Sequence, residues 1–187
     1  LNAVKRIAAE DTRKTRELVT AYRIKTPMTS YYEHNKRLKL DYLLNLLERD
    51  DVAVVSEAGT PGISDPGYEL VVAASQKGIP VVSIPGPSAV ITALSVSALP
   101  TDRFTCLGFL PRRASERRHL MKTVINEPAT MIFLEAPHRI RATLNDLLLV
   151  LGDRRIAVCR ELTKLHEEVF RGTISRAIEH FIEPRGE

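Results

Sequence analysis

Two short β-branched runs, Val52–Val55 and Val81–Ile84, are each followed at once by a loop rich in glycine and proline and then by a longer segment of helical period. This order predicts a βαβα unit between Val52 and Leu99. Both runs are continuously apolar, the pattern of parallel strands covered by helices on both faces. In open parallel sheets ligands sit at the carboxyl ends of the strands. The loops Glu57–Asp65 and Pro85–Ser88 therefore fall where a small molecule is expected to bind.

Neither loop is a phosphate cradle. Ala58-Gly59-Thr60-Pro61-Gly62 lacks the three glycines of a dinucleotide fingerprint and the Gly-Lys-Ser/Thr of a P-loop. What remains is a tight turn in which Gly59 and Gly62 allow close backbone approach, stiffened by neighbouring prolines. Ordinary βα turns are the plain alternative.

The rest of the chain repeats the strand-to-helix alternation. Val4–Ala9 and Met28–Tyr32 read as strands, and their ends carry Glu10, Asp11 and Arg13, then His34 and Asn35. Asp11 or Thr12 suits the N-cap of a helix from Arg13 to Tyr22, and a second helix is expected from Lys36 to Arg49. Further strands are expected at 104–109, 129–134, 155–160 and 169–171. Helices fill 115–125, 140–151 with a stop at Gly152, and 175–182. Cys106 and Cys159 lie in apolar strands without Cys-x-x-Cys spacing, which reads as two buried free thiols.

Hydrophobic residues at 44% and charged residues at 27% suit a globular protein, and no run approaches the ~20 apolar residues of a membrane helix. A cytoplasmic location is the expectation. The net charge of +4 is uneven: Pro111–Thr123 holds Arg112, Arg113, Arg117, Arg118 and Lys122 against one acid, Glu116. Such a cluster suits a phosphate backbone, although a solvated helix start would look the same. Composition shifts at the same place, so a domain boundary is expected between 105 and 106. No nucleophile elbow and no zinc spacing is present, which weakens hydrolase and metalloenzyme readings. The chain opens at Leu1 and stops at Glu187 after a Pro-Arg-Gly turn, and both ends read as cut.

Taken in order, AAEDTR, SEAGTPGISDPGY, PGPSAVITALSVSALP, GFLPR, EAPHR and RELTKLHEEVFRGT resemble the ribosomal RNA small subunit methyltransferase I family, which is similar in fold to the tetrapyrrole methylases. The resemblance covers essentially the whole chain. It implies an α/β fold of two domains: residues 1–105, mostly a parallel sheet with helices on both faces, and residues 106–187, a mixed α/β sheet, with S-adenosylmethionine in the cleft between them. Family members carry an earlier strand with a Thr-Pro-Ile-Gly-Asn loop and a further C-terminal portion that this chain lacks. Carried over motif by motif, the cofactor residues are Ala58, Gly59, Thr60, Ile63, Ser88, Ala89, Glu135 and Leu162. The implied reaction is methylation of a cytidine ribose 2′-hydroxyl in small-subunit ribosomal RNA, free or assembled, by a homodimer. Glu10, Asp11, Arg13, His34 and Asn35 would line the acceptor side, and the Arg112–Lys122 segment would grip RNA.

Glu135 departs from the wider superfamily, which keeps a thioether at that strand end. It is either a base for the hydroxyl proton, as are the alternatives Glu10 and Asp11, or one arm of an ion pair with Arg139 or Arg160 that holds the domains together. A tetrapyrrole methylase proper and a non-catalytic RNA-binding relative are the rival functions.

Overall fold

The computed structural model describes residues 1–182, so the Pro-Arg-Gly turn expected at 184–186 lies outside the described residues. Compact packing divides the chain into residues 1–88 and 89–187.

The first unit is built on three parallel strands, β1 (Arg6–Ala9), β2 (Met28–Ser30) and β3 (Val52–Val55), in the order β2-β1-β3. Ile7 lies beside Met28 on one side and Ala53 on the other. Helix α1 (Thr12–Ala21) carries the chain from β1 to β2, and α2 (Lys36–Leu47) carries it back across β1 to β3. The two crossovers run in opposite directions, and right-handed connections therefore place their helices on opposite faces. Alternate residues of β1 show the consequence. Ile7 and Ala9 pack with Val19 of α1, while Ala8 packs with Leu43 and Leu44 of α2 and with Leu70 and Ala74 of α3 (Tyr68–Gln76). A central strand reached from both directions creates a switch point, with a crevice at the carboxyl ends of β1 and β3.

The strand expected at Val81–Ile84 is absent: residues 80–88 form neither strand nor helix, and Val82 and Ile84 are each 79% exposed. Pro80, Pro85 and Pro87 supply no N–H to a ladder, which leaves the apolar run flanked by residues unable to pair.

The second unit begins with α4 (Ala89–Val96), followed by β4 (Phe104–Phe109), α5 (Ala114–Thr123), β5 (Thr130–Leu134), α6 (Ile140–Leu151), β6 (Arg155–Arg160), β7 (Glu168–Thr173) and α7 (Ile174–His180). The composition shift had pointed to a boundary at 105/106, yet α4 packs with the later residues. Arg171 donates to the Val96 carbonyl, and the Cys159 thiol lies 3.9 Å from that of Ala93. Strands β4 and β5 pair in parallel and β6 and β7 antiparallel, so the mixed character is divided between two separate pairs. Leu110, Met121, Leu144, Leu147, Ile174 and Ala177 form the core under α5, α6 and α7. Gly152 ends α6 at φ +76°, a conformation that costs glycine least. Cys106 is exposed instead of buried, because β4 turns alternate residues outward on an uncovered face.

Candidate active site

Four polar residues follow β1, and each has a distinct assignment. Asp11 caps α1, accepting from the Arg13 N–H at 2.7 Å, and its carboxylate also takes the Arg13 guanidinium at 2.8 Å. These bonds from Arg13 hold the Asp11 carboxyl at a pKa of about 2. Asp11 is thus spent on the helix start, and Thr12 is the first helical residue. Glu10 instead reaches across the crevice, where one carboxylate oxygen accepts from the Glu57 N–H just after β3 at 3.0 Å. The Glu57 side chain is paired with Lys14 at 2.8 Å.

Asp65, half-buried in the loop that follows β3, was not singled out from the sequence. Burial, reinforced by the Glu10 and Glu57 carboxylates, pushes its pKa above the ordinary value. Two other carboxylates at the ends of the flanking strands are the signal that could have found it. At the end of β2, Asn35 fastens the turn by accepting from the Tyr32 N–H at 2.8 Å and donating to Ser30, while His34 is exposed with its ring edge-on to Tyr32.

The glycine loop lies at the same carboxyl end, following β3. Gly59 and Gly62 have φ of +72° and +81°, and a Cβ on Gly59 would find only the Pro87 carbonyl, at 4.0 Å. Thr60 bridges to that same carbonyl at 3.5 Å, bringing the two loops expected to hold ligand side by side. Gly67 is required for another reason: a Cβ there would sit 3.1 Å from the Gly62 nitrogen. Ile63 projects outward, 65% exposed. Ser88 closes the irregular segment.

In the second unit, Ala89, Glu135 and Leu162 all line a cavity of about 450 Å³ whose walls are mainly apolar, including Leu94, Phe133 and Val158. The Glu135 carboxylate is occupied. It accepts from the Ala136 N–H at 2.8 Å, from the Arg139 guanidinium at 2.6 Å and from the Thr143 hydroxyl at 2.6 Å. Burial opposes its ionisation, but these partners outweigh burial and hold the pKa below the ordinary carboxylate value. The pair lies within the second unit, while Arg160 is engaged with Glu168.

Glu135→Gln is therefore expected to lower the thermal midpoint at neutral pH while the single-turnover rate at saturating cofactor and RNA escapes the large loss that removing a general base would cause. A depressed carboxyl pKa contributes stability above its unfolded value and loses it as pH falls through the folded value. The deficit of the variant should accordingly vanish in acid. Thermal melts from pH 7 down to pH 3, alongside single-turnover rates, check both parts, and a large rate loss in a fully stable variant would reverse the assignment.

The basic segment divides in two. Arg117, expected to grip RNA, is buried at 4% exposure, its guanidinium held by Asp146, and it takes no part in the surface. It lies on the α5 face that packs against α6, where an unpaired charge could not remain. Arg112, Arg113 and Lys122 are exposed, and Arg118 is partly exposed and shares Asp146 at 3.1 Å. Among the described residues no group of three His, Cys, Asp or Glu side chains is placed to hold a metal ion. No helix among them is long and apolar enough to cross a membrane.

The doubly wound first unit, the glycine loop at its switch point and the α/β second unit define an α/β protein with a ligand-binding crevice at the carboxyl ends of β1 and β3. The family model of the Tetrapyrrole (Corrin/Porphyrin) Methylases matches residues 1–178. A crystal structure of the methyltransferase CobJ shares the fold, with a TM-score of 0.57 over 91% of this chain and 86% of that one at 17% identity. The ribosomal RNA small subunit methyltransferase I of Halalkalibacterium halodurans is 49% identical over 179 residues, which is 95% of this chain and 62% of that protein. The protein of the same name from Thermotoga maritima is 47% identical over 182 residues, 97% of this chain and 82% of its own length. The chain belongs to the tetrapyrrole methylase family, within its ribosomal RNA small subunit methyltransferase I branch.

Proposed function

We propose that this chain transfers a methyl group from S-adenosylmethionine to a cytidine ribose 2′-hydroxyl of small-subunit ribosomal RNA. The observation that carries this reading is the near-complete coverage of the chain by relatives named for that RNA. A cytoplasmic location, action on free RNA or an assembled subunit, and a homodimer belong to the same reading.

The residues proposed to hold the cofactor are Ala58, Gly59, Thr60, Ile63 and Ser88 in the first unit and Ala89, Glu135 and Leu162 in the second. The open space at Gly59 fits such a ligand. Bound S-adenosylmethionine supplies an activated methyl, whose bond pair returns to sulfur as the new oxygen–carbon bond forms. The protein must orient the acceptor and take its proton. Asp65 suits the second task, being half-buried in the loop that follows β3, with its pKa raised by burial and by the Glu10 and Glu57 charges. His34, Asn35 and Arg13 stand on the strand ends of the same unit as candidate acceptor contacts, and Arg112, Arg113, Arg118 and Lys122 as candidate contacts to RNA backbone.

Tritium transfer from labelled cofactor to small ribosomal subunits, naked ribosomal RNA and a porphyrinogen tests the reading. Label is expected in the RNA, at a nucleotide whose 3′ linkage resists alkali. Label in the porphyrinogen instead, or in none of the three, would overturn it.

Gly59→Leu should abolish cofactor binding in titration calorimetry without unfolding the protein, whereas Gly59→Ala should retain most of it. Both replacements bear the cost of a left-handed backbone, about 1–2 kcal/mol, but only leucine fills the space beside the loop. Equal affinity in the two variants would remove the loop from the site.

A further inference from the structure

The loop between β4 and α5 is fastened by its backbone through two arginines, Arg117 buried and Arg139 half-buried. Arg139 donates to the Leu110 carbonyl at 2.7 Å, and Arg117 donates to the Pro111 and Arg112 carbonyls at 3.3 Å each. Three successive carbonyls are thereby tied down. Each arginine is held in turn by a carboxylate: Arg139 by Glu135, and Arg117 by Asp146 at 2.8 Å from Nε and 2.5 Å from Nη2. Thr143 steadies Glu135, and Asp146 lies one turn farther along the same helix, α6. Thr143 and Asp146, both on α6, thus secure the two arginines, one through Glu135 and one directly, and the loop hangs from them. Beyond the clamp, the Arg112 and Arg113 side chains are exposed, and Arg117 and Arg118 share the single charge of Asp146, which leaves this cluster net positive.

We propose that Arg117 and Arg139 are positioning residues, which pin the Leu110–Arg112 backbone so that Arg112 and Arg113 are presented ready-oriented to the phosphates of an RNA strand. The proposal rests on the RNA reading above and adds how the basic face is organised. A loop ordered in advance does not pay its ordering cost on binding, so loosening it should weaken binding even with every exposed charge retained.

The test compares Arg112→Ala/Arg113→Ala with Arg117→Met/Asp146→Leu in the full chain. The second variant replaces a buried ion pair by apolar groups, a change that proteins often tolerate. Arg117→Lys serves as a further variant, since an ammonium cannot reach two carbonyls and a carboxylate in the arginine's fork geometry. Readouts are anisotropy of a labelled single-stranded RNA oligonucleotide across a salt series, and hydrogen exchange at the Leu110, Arg112 and Arg113 amides. Removing the exposed arginines is expected to weaken binding and to flatten the salt slope by roughly 0.7 per lost phosphate contact. Loosening the clamp is expected to speed exchange at those amides and to weaken RNA binding about tenfold, even though Asp146→Leu also frees the Arg118 charge, which by itself would favour binding. If removal of Arg112 and Arg113 leaves affinity and slope unmoved, the RNA face itself is wrong. If that removal weakens binding while both Arg117 variants fold and bind as the parent does, the face stands and the clamp is overturned.

Discussion

Asp146→Ala is expected to destabilise the second unit by about 3–5 kcal/mol, the usual cost of breaking a buried ion pair by removing one partner. The Arg117 and Asp146 side chains are only 5% and 10% exposed, so water cannot replace the lost carboxylate. Arg117 would keep its two bonds to loop carbonyls but lose the partner that neutralises it. Arg113→Ala provides the contrast. Its pairing with Glu116 is open to solvent, and such pairs contribute ~0–1 kcal/mol. Urea unfolding of both variants at neutral pH measures the difference. A loss below 1 kcal/mol for Asp146→Ala would mean that the pair is not buried in solution.

Asp65→Asn is expected to lower methyl transfer by something like 10²–10⁴, the span usual for loss of a general base. The same change should raise stability near neutral pH. A carboxyl whose folded pKa lies above its unfolded value contributes stability below the unfolded value, and that contribution is lost as pH rises through the folded one. Ionised Asp65 is thus held against burial and against the Glu10 and Glu57 charges, and asparagine relieves both. A slower, more stable enzyme cannot be mistaken for a damaged one. Melting temperature at pH 7 and pH 3 and single-turnover rate, measured on the same samples, check the pair of effects. An unchanged rate would take the proton-acceptor role from Asp65 and return it to Glu10.

What the chain order determined by itself was local. The period of the apolar residues marked β1, β2, β3 and every element from α5 to α7 within a few residues, because 2.0 and 3.6 periodicities depend only on neighbours in sequence. The Asp11 cap and the Gly152 stop were legible for the same reason. The glycine loop could be placed at a strand end, since strand direction follows from connectivity. Burial and partnership were not legible, because they depend on residues far apart in the chain. Arg117 and Arg118 are adjacent in the sequence, and only the packing of α5 on α6 buries one against Asp146 while the other reaches the surface. Glu135 reads from the sequence as either a base or an ion-pair arm, and only the tertiary structure shows Thr143 and Arg139 occupying its oxygens. Val81–Ile84 has a strand's composition, but a strand exists only where an edge accepts it, and the Pro-flanked run lies unpaired. Asp65 acquires its raised pKa first from burial and then from Glu10, 55 positions away in the numbering, through a crevice that only the β2-β1-β3 order creates.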